Sequence, residues 1–105
     1  MIDASTGQTV YEIVQSFDTN NNPVSAATFD LNFYVNGQIS NTIIPDINLI
    51  NQSAATFSIS WSSDTYGYHQ FYLRNQTTNV MYVSELYNVN SGATVNSQPI
   101  VYVGL

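Results

Sequence analysis

Three features of the chain predict an all-β domain, an antiparallel sandwich of seven or eight short strands. Apolar and polar residues alternate with period two along most of the sequence, and no segment sustains a helical period. Clusters of Asn, Asp, Ser, Gly and Pro interrupt that alternation at a spacing of roughly 8–12 residues. No connection offers the run of ~10 or more good helix formers that a helix needs. At 105 residues the chain is too short to divide into two cores, so a single domain over 1–105 is expected.

The elements follow in order. Residues 9–17 alternate, with Tyr11, Ile13 and Phe17 on one face and Val10, Glu12, Val14 and Ser16 on the other. Asp18, Thr19 and the Asn20-Asn21-Asn22-Pro23 run then supply turn chemistry. Ala27, Phe29, Leu31, Phe33 and Val35 alternate with Thr28, Asp30, Asn32 and Tyr34, the pattern of a half-buried strand. Asn36-Gly37 follows at once, and both residues tolerate the positive φ of a tight hairpin turn. Residues 38–44 are therefore its hairpin partner, ended by Pro45-Asp46.

A short strand is expected over 47–50, with Asn51, Gln52 and Ser53 as the next turn. Ala55, Phe57, Ile59 and Trp61 alternate with Thr56, Ser58 and Ser60. After a corner at 62–67, residues 68–74 place His69, Phe71 and Leu73 on one face and Tyr68, Gln70 and Tyr72 on the other. A loop at 75–79 precedes a strand over 80–89. Residues 90–93 break the chain again, and a last strand covers 100–103. The end stays apolar to Leu105, which marks a strand tied into a sheet rather than a frayed tail.

Composition excludes several classes of function. Cysteine is absent, which removes disulfides, thiol catalysis and Cys-based zinc sites. Arg74 is the only Lys or Arg in a chain of net charge -6, and one cation cannot neutralise a run of phosphates, so no nucleic-acid partner is expected. No apolar run is long enough to span a membrane, and the start lacks the pattern of an export signal. No cofactor is expected.

Candidate chemistry is sparse. His69 is the only histidine, so any Ser-His-Asp arrangement must pass through it. Its place beside Phe71 and Leu73 predicts a packed, hydrogen-bonded side chain instead. The acids Asp3, Glu12, Asp18, Asp30, Asp46, Asp64 and Glu85 are scattered, and are read as solvated. Asp18, Asn20 and Asn22 have the spacing that opens a calcium loop, but Pro23 stands where glycine is required and no closing glutamate follows. An Asn-rich turn explains the same residues, and no metal site is expected. Asn51-Gln52-Ser53 and Asn75-Gln76-Thr77 match the glycosylation pattern, a match that chance explains in so Asn-rich a chain. The aromatics Tyr34, Tyr66, Tyr68, Tyr72, Tyr82, Tyr87 and Trp61 are candidates for a sugar-stacking platform, with Tyr66, Tyr68 and Tyr72 as the contacting set.

The segment Asp64-Thr65-Tyr66-Gly67-Tyr68-His69-Gln70-Phe71 resembles the corner that leads into a late strand of immunoglobulin-like domains. The resemblance implies an immunoglobulin-like sandwich, with a tyrosine hydroxyl bonded to backbone across the corner. The antibody pattern itself is absent, since there is no cysteine pair and Trp61 lies on the preceding strand.

Charged residues make up only 8% of the chain, against about a quarter in ordinary domains. Asn, Ser, Thr and Gln instead supply about two-fifths of it. Such side chains are cheaper to bury against a partner than charges are. Lysine, the usual guard of exposed strand edges, is missing. In this overall style the chain resembles the small accessory structural proteins of tailed bacteriophage particles, capsid decoration (cement) proteins among them. That resemblance implies a non-enzymatic virion protein assembled in the host cytoplasm, bound to a major capsid or tail protein and to copies of itself. The expected docking elements are the terminal strand (Ile100, Val101, Tyr102, Val103, Leu105) and an N-terminal arm over 1–8 led by Met1 and Ile2. The alternative is a carbohydrate- or receptor-binding module of a phage tail, fibre or surface adhesin.

Overall fold

Strands that each carry one apolar row hide those rows by stacking two sheets face to face. The computed structural model describes residues 1–18, 20–24, 29–51, 56–92 and 100–104, the last of these as backbone. Ten strands lie among the described residues. They are β1 (Ile2–Ser5), β2 (Val10–Phe17), β3 (Phe29–Val35), β4 (Gln38–Ile39), β5 (Asp46–Asn51), β6 (Thr56–Trp61), β7 (Gly67–Asn75), β8 (Met81–Val83), β9 (Tyr87–Asn90) and β10 (Ile100–Gly104). The first sheet runs β1-β9-β7-β3-β4, with β8 also paired to β7, and the second runs β10-β2-β6-β5. The described residues include no helix long and apolar enough to cross a membrane.

The core fills the space between the sheets. From the second sheet come Val10, Val14, Phe57, Ile59 and Trp61, and from the first come Phe33, Phe71, Leu73, Tyr87 and Val89. Phe33 meets Trp61 edge-on at 5.0 Å, and Phe29 meets Phe57 in the same way at 6.1 Å. Full burial of such side chains contributes about 1.5–3 kcal/mol each, so this inter-sheet layer is the main source of stability. On β2 the inward face is the one carrying Val10, Glu12, Val14 and Ser16.

The tight turn at Asn36-Gly37 forms as expected, with φ of 51° and 82°. Three other expectations are corrected. The sheets are mixed rather than wholly antiparallel, because β1 pairs parallel with β9 and β10 parallel with β2. Neither pair is joined by a hairpin, which is the connection that forces antiparallel pairing. The 38–44 hairpin partner shrinks to Gln38–Ile39. Beyond it, Ser40 N donates to Phe33 O at 2.7 Å and the chain crosses to the second sheet to begin β5.

The 80–89 strand is split between β8 and β9, which both pair with β7. At the break, Ser84 keeps the ladder going with a side chain: its N donates to Phe71 O at 2.9 Å and its Oγ accepts from Phe71 N at 2.8 Å. Within residues 1–8, Ile2–Ser5 form β1. β1 is an edge strand of the first sheet, with Ile2 N donating to Leu86 O at 2.9 Å and Thr6 N to Asn90 O at 3.0 Å. Met1 precedes β1 and is exposed.

Candidate functional site

The corner around His69 explains where the histidine chemistry went. His69 is fully buried and stacks on Trp61 at 5.3 Å with the planes 4° apart. Its Nε2 lies 2.7 Å from Ser63 Oγ and its Nδ1 3.0 Å from Gly67 O. A carbonyl can only accept, so Nδ1 carries the proton and Nε2 accepts from the serine hydroxyl. Burial holds the imidazole pKa below 6.5, partly offset by the Gly67 carbonyl. Both ring nitrogens are engaged in holding the corner.

The expected tyrosine hydroxyl bond is not what closes this corner, since Tyr66 and Tyr68 are both exposed. Asn36 does that work: its N donates to Tyr68 O at 2.7 Å, its Oδ1 accepts from Tyr68 N at 2.8 Å and its Nδ2 donates to Tyr66 O at 3.3 Å. Gly67, at φ 117°, sits where a Cβ would run into the Asn36 amide.

The acids divide differently from expectation. Asp18 closes an Asn-rich turn, its Oδ1 accepting from the backbone N of Asn20 at 2.8 Å and of Asn22 at 2.9 Å. Those donors, Asn22 first, hold its pKa below 3.8. Asp30 accepts from Gln76 and from Arg74, each at 2.5 Å, and is likewise lowered, with the Gln76 bond the larger cause. Glu12 corrects the solvated reading. It is fully buried, and its carboxylate accepts hydrogen bonds from Tyr82 Oη and, at 3.2 Å, from Tyr87 Oη. Burial outweighs these donors and holds its pKa above 4.5. Burial, with the adjoining carboxylate, pushes both phenols above their ordinary range. Among the described residues no three His, Asp or Glu side chains gather as metal ligands.

The aromatic candidates separate by sheet face. Trp61 and Tyr87 are core residues, and half-buried Tyr82 points inward to Glu12 and Phe71. Tyr34, Tyr68 and Tyr72 remain on the outer face of the first sheet. With Gly37, Gln70 and Leu86 they line a depression of about 290 Å³. Tyr34 and Tyr72 pack at 4.7 Å with rings tilted 38°. Tyr66 lies apart, at the corner.

A further surface was not foreseen. β5 and β4 are edge strands on the same flank, opposite the flank that carries β1 and β10. Every residue of β5 is exposed. Yet Ile47 stands opposite Ile59, and Leu49 opposite Phe57, so both belong to the inward row of the second sheet. They are uncovered (Leu49 is 53% exposed) because the first sheet ends at two-residue β4. Ile44, on the connection that leads into β5, is 81% exposed, and Ile39 and Ile50 are exposed as well. Beside β5 a depression of about 370 Å³ reaches Trp61 past Ile43 and Ile44. The run Ile43-Ile44-Pro45-Asp46-Ile47-Asn48-Leu49-Ile50 held the signal: it is the most aliphatic stretch without a charge other than Asp46.

Of the expected docking residues, Ile2 is paired within the first sheet, and residues 100–104 are paired with β2. The side chains of Ile100, Val101, Tyr102 and Val103, and all of Leu105, lie outside the described residues.

The sequence matches no protein-family profile and no curated protein. Among solved structures, the Lin-41 filamin domain is similar, with a TM-score of 0.64 at 11% identity over 86% of this chain and 84% of that one. At that identity the likeness is one of fold, and the fold is an immunoglobulin-like β-sandwich.

Proposed function

We propose that this chain is a non-enzymatic structural protein, one copy among many in a virus-particle lattice of the capsid-decoration type, and that β5 is its docking edge. The observation that carries the reading is the aliphatic row of Ile47 and Leu49, left uncovered on an edge strand with no lysine to guard it. Antiparallel pairing of β5 with β5 of a second copy, two-fold about Asn48, sets Ile47 opposite the other copy's Leu49. Directly opposed residues share a face, so the two aliphatic rows merge into one. Asp46 then faces Ile50 and meets no like charge. The scarcity of charged residues elsewhere supports further contacts with the lattice.

Sedimentation of the full chain at rising concentration tests this. The wild type associates, more strongly at high salt, because copies of net charge -6 repel beyond a Debye length of ~8 Å only when salt is low. Leu49→Lys stays monomeric with an unchanged melting curve, since an exposed position alters stability by about 0.5 kcal/mol or less. A wild type that remains monomeric throughout, or a Leu49→Lys variant that associates equally, overturns the reading.

A further inference from the structure

We infer that the outer face of the first sheet binds neutral carbohydrate, at the depression framed by Tyr34, Tyr68 and Tyr72. This is a separate surface from the β5 flank and does not depend on it. The two surfaces differ in chemistry. The β5 strip is aliphatic and suits another aliphatic surface, whereas this face presents phenol rings with amides between them. A sugar ring is itself two-sided in that way: its C–H face packs on an aromatic ring and its hydroxyls need donors and acceptors.

The sheet geometry supplies both requirements. Tyr68, Gln70 and Tyr72 are alternate residues of β7, so they project from the same side. At about 3.3 Å per residue, Tyr68 and Tyr72 stand about 13 Å apart along the strand, with room for more than one sugar ring between them. Tyr34 lies opposite Gln70 on β3 and leans on Tyr72, which fixes that wall. Tyr68 is 49% exposed and forms the open end. Gln70 is anchored by its Nε2, which donates to Ser84 O at 3.1 Å. Among the described residues no protein group bonds Gln70 Oε1 or the three phenol hydroxyls. None of the six lining residues is charged. A phosphate or uronic acid finds no cation there, and Arg74, the chain's only Lys or Arg, is engaged with Asp30 and Asn79. The ligand class is therefore a neutral hexose or N-acetylhexosamine oligomer.

The test is an array of neutral and acidic oligosaccharides probed with the full chain displayed on beads, since multivalent display raises weak affinities into range. Titration of the best neutral oligosaccharide into the free protein follows. Neutral glycans bind, and Tyr68→Ala and Tyr72→Ala each weaken binding about tenfold or more, within the range of a lost stacking contact. Leu49→Lys binds sugar as the wild type does. Tyr68→Ala keeps the wild-type melting curve because that ring is exposed, which separates lost binding from lost folding. The inference is overturned by an array with no neutral ligand, by binding that both Tyr variants retain, or by binding confined to acidic glycans. It is equally overturned if an extended peptide, and no sugar, perturbs the Tyr68 and Tyr72 resonances.

Discussion

Replacing Glu12 with glutamine should remove one whole component of the pH response of this protein. The carboxyl is sealed between β2 and the β8–β9 segment, and the folded state holds its pKa above the unfolded value of 4.5. Below 4.5 both states are protonated and pH has no effect through this group. Between 4.5 and the folded pKa the native protein carries one proton that the unfolded chain has lost. Each unit of pH rise in that window therefore costs about 1.36 kcal/mol of stability. Above the folded pKa both states are ionised, and the cost is carried in full. The amide of the Glu12→Gln variant cannot titrate.

Urea unfolding of both proteins across about pH 4 to 8 gives the comparison. Wild-type stability minus that of Glu12→Gln should fall as pH rises through the window and then level off. His69 acts in the opposite sense. Its folded pKa lies below 6.5, so the unfolded chain takes up a proton first and stability is lost as pH falls below that value. That contribution is common to both proteins and cancels in the difference. Parallel curves, or a difference that grows with pH, would refute the assignment of a buried, proton-holding Glu12.

Two further outcomes follow from the fold. Gly67→Ala should destabilise by about 2–4 kcal/mol in a denaturant melt, from a strained positive φ and a collision with the Asn36 amide; a loss under about 1 kcal/mol would show that Asn36 does not brace the corner. Deleting residues 100–105 strips the partner from β2 and should lower stability by about 1 kcal/mol for each inter-strand hydrogen bond lost. The truncated chain, while folded, should still associate through β5, so loss of association without loss of stability would return the docking role to the terminal strand.

How far the fold could be read from residues alone depended on whether the cause was local. Phe57, Ile59 and Trp61 alternate because one face of β6 is core, and Asn36-Gly37 turns because both residues accept positive φ. Those signals sit within a few residues of their effects. Glu12 is different: alternation placed it with Val10 and Val14, but its partners are Tyr82 and Tyr87, 70 and 75 residues away. The split of 80–89 was hidden for a related reason, since Ser84 substitutes for a ladder only when Phe71 is beside it. The parallel pairing of β1 with β9 and of β10 with β2 is a consequence of crossovers that no local pattern encodes. The β5 flank was missed because its exposure comes from the shortness of β4, a property of the opposite sheet. The tyrosine face was anticipated at Tyr68 and Tyr72, whereas Tyr34 joins them only through the β3–β7 register and Tyr66 does not join at all.

The pairing of β5 with its copy can be trapped chemically, because the chain contains no cysteine. In Asn48→Cys the two thiols of a pair meet on the two-fold axis, where directly opposed Cα atoms stand about 4.5–5.5 Å apart, within disulfide reach. Mild oxidation should yield a covalent dimer from Asn48→Cys and none from Asp46→Cys, whose thiols are held about 13 Å apart by the same register. Dimers that form equally from both variants, or from neither, would contradict a β5-edge contact between copies.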